Sequence, residues 1–168
     1  AAMRVSYLPD RQERAWKPNI FVAVSQTEEM LGEYRFLQAA TTPRGSVHVL
    51  GIYPPGKANT VEGLNSVASA FTYDGAYCRV SLLENENFAE GMRMGFEALY
   101  TSFFRPNAVF LNVNGIGIDD TVLQTMLGRC EARRTGALIF APHTHTGLGR
   151  EQNINVWIRE QGPDWEIG

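Results

Sequence analysis

Apolar and polar positions along the chain switch repeatedly between two periods. Ile20 to Ser25 is a short unbroken apolar run, the pattern of a strand buried on both faces. Thr27 to Ala40 changes to helical spacing, with Leu31, Tyr34 and Leu37 or Gln38 on one face and Thr27 as the expected N-cap. Ser46 to Tyr53 reads as a second strand, closed by Pro54-Pro55-Gly56. From Thr60 to Phe71, Val61, Leu64, Val67, Ala68 and Phe71 fall on one stripe. Ala76 to Leu83 is a third strand, and Asn87 to Phe103 aligns Phe88, Met92, Phe96, Leu99 and Phe103 on one helical face. Ala108 to Asn112 is a fourth strand. Asp119 to Arg134 is a fourth helix, with Asp119 and Asp120 at its positive N-terminal end and Arg133 and Arg134 at the other. Gly136 to Ala141 and Ile154 to Ile158 complete the series as strands.

Strands alternating with helices of this length predict an α/β domain, doubly wound, with a mostly parallel sheet of five to six strands and helices on both faces. One internal echo sharpens the topology. Trp16-Lys17-Pro18-Asn19 leads into the first strand and Phe104-Arg105-Pro106-Asn107 into the fourth. Proline cannot donate to a ladder and forces its predecessor to be extended, so each motif marks a strand start. In a sheet of order 3-2-1-4-5 the two motifs lie side by side at one edge.

Composition fits this picture. The 168 residues are 44% hydrophobic and 20% charged, which suits one domain that buries its core without a disulfide or metal. A formal charge of -3 argues against a dedicated nucleic-acid binder. No apolar run is long enough to cross a bilayer. Lys17 and Lys57 are the only lysines, the other basic residues being arginine. Cys78 and Cys130 lie apart, outside any CxxC or Cys/His cluster, so neither zinc nor a redox motif is expected, and two lone thiols suit a reducing compartment. Ala1 to Asp10 has no apolar stretch of the signal-peptide kind. Both ends read as cut: residues 1–15 form a polar lead-in, and the segment from 161 to 168 leaves Trp165 and Ile167 with nothing to pack against. The expectation is a fragment of a longer chain.

Chemistry is expected, if anywhere, at the carboxyl ends of the strands, where open α/β sheets bind ligands at the switch between their halves. After strand four, Asn112-Val113-Asn114-Gly115-Ile116-Gly117-Ile118-Asp119-Asp120 forms a glycine-containing turn into a helix. Amides at such a turn can hold phosphate, which makes Asn114, Gly115 and Gly117 the candidate ligand positions. The spacing is only GxG, however, and two aspartates stand where an anion would dock, so neither a dinucleotide fingerprint nor a P-loop is present. After strand one, Glu28 and Glu29 are explained by the helix dipole. His143 and His145 alternate in a loop without a third metal ligand nearby, and His48 lies inside strand two as a satisfied imidazole. No GxSxG elbow surrounds Ser25. The residues therefore predict no enzyme, no metal and no cofactor.

Three segments in order resemble the cytosolic C-terminal domain of the cation-chloride cotransporters, with a prokaryotic origin expected. They are Trp16-Lys17-Pro18-Asn19 with its strand, Phe88-Ala89-Glu90-Gly91-Met92 through Phe104-Arg105-Pro106-Asn107-Ala108-Val109-Phe110-Leu111, and Gly149-Arg150-Glu151-Gln152-Asn153-Ile154-Asn155-Val156-Trp157-Ile158. The resemblance spans about residues 16 to 160 and implies the first of two tandem subdomains, with a fold akin to universal stress proteins. It also implies a location on the cytoplasmic face of the membrane and a role in regulating transport and assembling homodimers. The implied partners are the chain's own transmembrane transport domain, which would move sodium or potassium with chloride, and the second subdomain. Trp157 and Trp165 are the positions expected to pack against that subdomain. No ion site carries over, because those residues belong to the membrane helices. Two alternatives stay open: the tail of a related amino-acid, polyamine or cation permease, and a stress-protein-like nucleotide-binding module. An enzyme using Glu28, Glu29 or the histidine pair is a further class.

Overall fold

The computed structural model describes residues 17–142. Its elements follow the alternation of the sequence: β1 Asn19–Val24, α1 Thr27–Thr41, β2 Ser46–Tyr53, a short 3-10 turn Ala58–Val61, α2 Leu64–Tyr73, β3 Tyr77–Glu84, α3 Phe88–Tyr100, β4 Ala108–Asn112, α4 Asp120–Ala132 and β5 Gly136–Phe140. The five strands form one sheet in the order β3-β2-β1-β4-β5, every pair parallel. Each crossover needs a helix to return the chain, and the helices divide between the faces. The expected α/β class and strand order are thus observed. The strand expected over Ile154 to Ile158 lies outside the described residues, as do Trp157, Trp165, His143 and His145.

Strand pleat assigns the two cores. Ile20, Val22 and Val24 of β1, with Val47 and Val49 of β2, face Met30 and Leu37 of α1 and Leu64, Val67 and Phe71 of α2. Phe21 and Ala23, with Leu50, Ile52, Val109 and Leu111, face Met92 and Phe96 of α3 and Met126 and Cys130 of α4. Central β1 is apolar on both sides because both sides are covered. Helix α3 comes close to the sheet where it lacks a side chain: a Cβ on Gly91 would stand 2.9 Å from Ile52 Cγ2.

Three sequence expectations need correction. Leu31 is 66% exposed, and the buried side of α1 is Met30, Glu33, Leu37 and Thr41. Leu37 is buried as expected and Tyr34 packs at the core's margin, but Leu31 is not, because a carboxylate, Glu33, occupies a core position and breaks the apolar spacing. The N-cap of α1 is Gln26, in a capping box with Glu29, while Thr27 Oγ1 donates to the Thr60 carbonyl at 3.2 Å. Finally, α3 stops at Tyr100, so Phe103 leaves the helical stripe and is 96% exposed.

The paired strand starts do lie side by side. Asn107 Oδ1 accepts from the Asn19 amide at 2.8 Å, and its Nδ2 donates to the Lys17 carbonyl at 2.7 Å. Asn107 N in turn donates to Asn19 O at 3.0 Å, and Ser46 Oγ donates to Asn19 Oδ1 at 2.8 Å. The shared asparagine is therefore the lock between the two halves of the sheet, and Pro18 and Pro106 are both buried beside it.

Candidate functional site

The switch between β1 and β4 opens a crevice at the carboxyl edge of the sheet, bounded by the β1–α1 and β4–α4 turns. Two glutamates of α1, one turn apart, point into it. The Glu29 Oε1 atom accepts from the Ser25 amide at 2.9 Å, from Ser25 Oγ at 2.8 Å and from the Gln26 amide at 3.1 Å. Its Oε2 accepts from the Ile116 amide at 3.3 Å. One carboxylate thereby ties the first turn to the second, across the switch point. The amides that would otherwise be free to receive an anion are held by the protein's own anion.

Glu33 sits deeper. It is 2% exposed, and its Oε1 accepts from Asn112 Nδ2 at 2.8 Å while its Oε2 is buried without a partner. Burial pushes its carboxyl up to about 7, the Asn112 bond pulls the other way, and the charge of Glu29 adds to the rise. No cation pairs with it among the described residues. Asn112 Oδ1 accepts in turn from the Asn114 amide at 3.0 Å, so Glu33 also supports the β4–α4 turn.

The candidate ligand positions lie in that turn with their polar groups spent on it. Asn114 Nδ2 donates to the Pro142 carbonyl at 2.8 Å, and the Gly115 amide donates to the Asn112 carbonyl at 2.9 Å. Gly117 has φ of 79°, a conformation that glycine adopts freely, and packs its backbone against the Phe88 ring. Asp119 caps α4 by accepting from the Val122 amide at 2.8 Å, the dipole-end role its position implies. The structure brings Asn114, Gly115 and Gly117 together as a braced turn, beside two carboxylates that the GxG spacing gave no hint of. Glu29 was visible only as a helix-start acid. Glu33 gave no signal except as a polar interruption of a helical stripe.

Elsewhere the titratable groups are structural. His48 Nε2 pairs with Ser81 Oγ at 2.9 Å, and its pKa is lowered by burial and by the charge of Arg79. The Cys78 and Cys130 thiols are free, and burial pushes each up to about 11. Both are therefore inert as nucleophiles at neutral pH. Among the described residues no group of three or more His, Cys, Asp or Glu is placed to hold a metal ion. A groove of about 210 Å³ between the starts of α3 and α4 is lined by Glu90, Arg93, Thr121 and Thr125, with Glu90 and Arg93 already paired to each other.

These features define a doubly wound α/β domain whose ligand crevice is closed by its own side chains. Over residues 22–148 the sequence matches the family described as prokaryotic cation-chloride cotransporter, C-terminal domain, first. The chain belongs to that family. Among solved structures it is similar to the crystal structure of the cytoplasmic domain of a prokaryotic cation chloride cotransporter, at 32% identity and a TM-score of 0.69. That similarity covers 80% of this chain and 50% of the other, so the chain spans about half the length of that relative. A universal stress protein from Archaeoglobus fulgidus aligns at 16% identity and a TM-score of 0.49, over 74% of this chain and 92% of that one. No curated protein matches the chain.

Proposed function

We propose that this chain is a non-catalytic regulatory and assembly domain on the cytoplasmic face of a secondary-active cation-chloride cotransporter. The observation that carries the reading is the family match over residues 22–148. In the parent protein the domain follows a transmembrane transport domain that moves sodium or potassium with chloride. A second subdomain comes after it, and homodimers form through this cytoplasmic region. Its half-length coverage of the cytoplasmic relative supports the tandem arrangement. The closed crevice supports a non-catalytic role: the Ser25, Gln26 and Ile116 amides are all taken by Glu29. A nucleotide would have to displace that carboxylate and lie beside Glu33.

Three measurements test this. The parent gene is expected to encode several apolar spans of about 20 residues ahead of this domain; a parent without them removes the transporter reading. Light scattering on a longer protein that includes the second subdomain is expected to give a dimer, and a strict monomer at high concentration would remove the assembly role. Calorimetric titration of the 168-residue chain with ATP or AMP is expected to give no heat, whereas saturable heat would favour the nucleotide-binding module.

A further inference from the structure

An all-parallel sheet sends every helix-to-strand loop to one edge and every strand-to-helix loop to the other. Among the described residues the two edges carry opposite charge. Glu28, Glu62, Glu84, Glu86, Asp119 and Asp120 lie exposed at the strand-to-helix edge, with Lys57 as the loop cation. The opposite edge presents Lys17, Arg44, Arg105, Arg133 and Arg134, all exposed, against the carboxylates Asp74 and Glu131. Arg133 is paired with Glu97, and Asp74 accepts from the Tyr34 hydroxyl. Lys17, Arg44 and Arg134 make no ion pair among the described residues.

The same basic edge holds the exposed aromatic rings found among the described residues. Phe103 is 96% exposed, Tyr73 92%, Tyr77 53% and Phe104 44%. Tyr77 and Phe104 stack at 5.8 Å between centroids, and Phe103 stands edge-on to Phe104 at 5.3 Å. Behind them the Arg105 guanidinium lies 3.8 Å from the Tyr100 ring centroid. Exposed aromatic rings interleaved with arginines match a lipid interface, where rings sit among the headgroups and cations meet phosphates. The chain also enters β1 through Lys17 at this edge. The inference rests on the proposed function, which sets the domain beside a bilayer.

We infer that the helix-to-strand edge is a membrane-facing surface that docks on anionic phospholipid headgroups. The acidic edge then points away from the bilayer, repelled by the same lipids that attract the basic one. A carboxylate-rich protein surface would satisfy the arginines but not the rings, which come from both the α2–β3 and the α3–β4 connections.

The test is co-sedimentation of the 168-residue chain with vesicles of phosphatidylcholine alone, or of phosphatidylcholine and phosphatidylglycerol in equal parts. Binding is expected only to the anionic vesicles, and to fall as salt screens it. A basic side chain near such a surface is worth about fivefold in partitioning, so Arg44→Glu with Arg134→Glu is expected to weaken binding at least about 25-fold, the added carboxylates being repelled as well. Phe103→Ser, at a side chain that packs on almost nothing, is expected to weaken binding at unchanged thermal stability; Glu62→Gln at the opposite edge is expected to leave it unchanged. No preference for anionic vesicles, or wild-type binding by both the charge-reversed and Phe103→Ser chains, overturns the inference. If Phe103→Ser instead converts a lipid-indifferent dimer to a monomer, the edge belongs to a second copy and lipid docking is refuted. Failure on vesicles leaves the cotransporter reading standing, and a parent gene without spans would remove that reading without altering the vesicle result.

Discussion

Glu33 is the residue whose environment most opposes its chemistry. The folded chain holds its proton more tightly than the unfolded chain does, because burial raises the carboxyl from 4.5 to about 7. An acid raised in this way stabilises most at low pH. The advantage is fully present below the unfolded value and is lost as pH rises through the folded one, a change of roughly 3 kcal/mol. His48 acts with the opposite sign: its lowered pKa means that acidification below its ordinary 6.5 destabilises the fold. Comparing wild type with Glu33→Gln isolates the glutamate, since the amide keeps an acceptor for Asn112 Nδ2. Urea unfolding is expected to show the wild type losing roughly 3 kcal/mol relative to Glu33→Gln between about pH 4.5 and about pH 8. A constant difference would mean that Glu33 does not titrate in this range. The sequence shows Glu33 only as a polar interruption of the α1 stripe and says nothing of its pKa, because a residue's dielectric surroundings come from β4 and Asn112, far away in the chain.

At the scale of elements, periodicity located all four helices and the five described strands but misjudged how two helices sit. In α1 the spacing rightly turns Leu37 and Tyr34 toward the core, but it also puts Leu31 there, whereas packing exposes Leu31 and buries Met30 and Glu33. In α3 the apolar spacing runs on to Phe103, but the helix ends at Tyr100 and the chain turns toward Pro106. A stripe is a local property, and the position of a helix end on the sheet is not. Two glycines make this measurable. Gly128 in α4 has open space around its missing side chain, so Gly128→Ala is expected to gain about 1 kcal/mol from helix propensity. Gly91→Ala carries the same propensity gain, but its Cβ would meet Ile52, a β-branched strand residue that cannot swing away. It is expected to lose about 1 kcal/mol net, the overpacking outweighing propensity. Chemical denaturation of both variants checks the contrast, and equal gains would show that α3 lifts from the sheet without penalty.

For the whole molecule, the two halves meet along β1 and β4, where Asn19 and Asn107 exchange hydrogen bonds and Asn107 Nδ2 also donates to the Lys17 carbonyl. Asn107→Ala removes two side-chain bonds at the seam and strips the Asn19 amide of its acceptor. The expected loss is about 2 kcal/mol, read from the urea midpoint. An unchanged midpoint would mean that the ladder alone holds the halves together. The same seam sets the charge separation between the edges, since every loop's side follows from strand direction. A net charge of -3 conceals a basic edge and an acidic one.

The order of apolar blocks determined the α/β class, the strand sequence and, through the repeated Pro-Asn strand starts, which strands are central. Those are properties of local spacing and of proline's missing donor, and one chain suffices to read them. The family, too, was legible in the order of three segments. Only the tertiary structure decided that Glu29 and Glu33 close the crevice, because the Ile116 amide and Asn112 that they bind lie 87 and 79 positions away. It also decided that scattered arginines and aromatic residues share one surface. Parallel pairing gathers residues remote in sequence at one edge, and no local pattern records that.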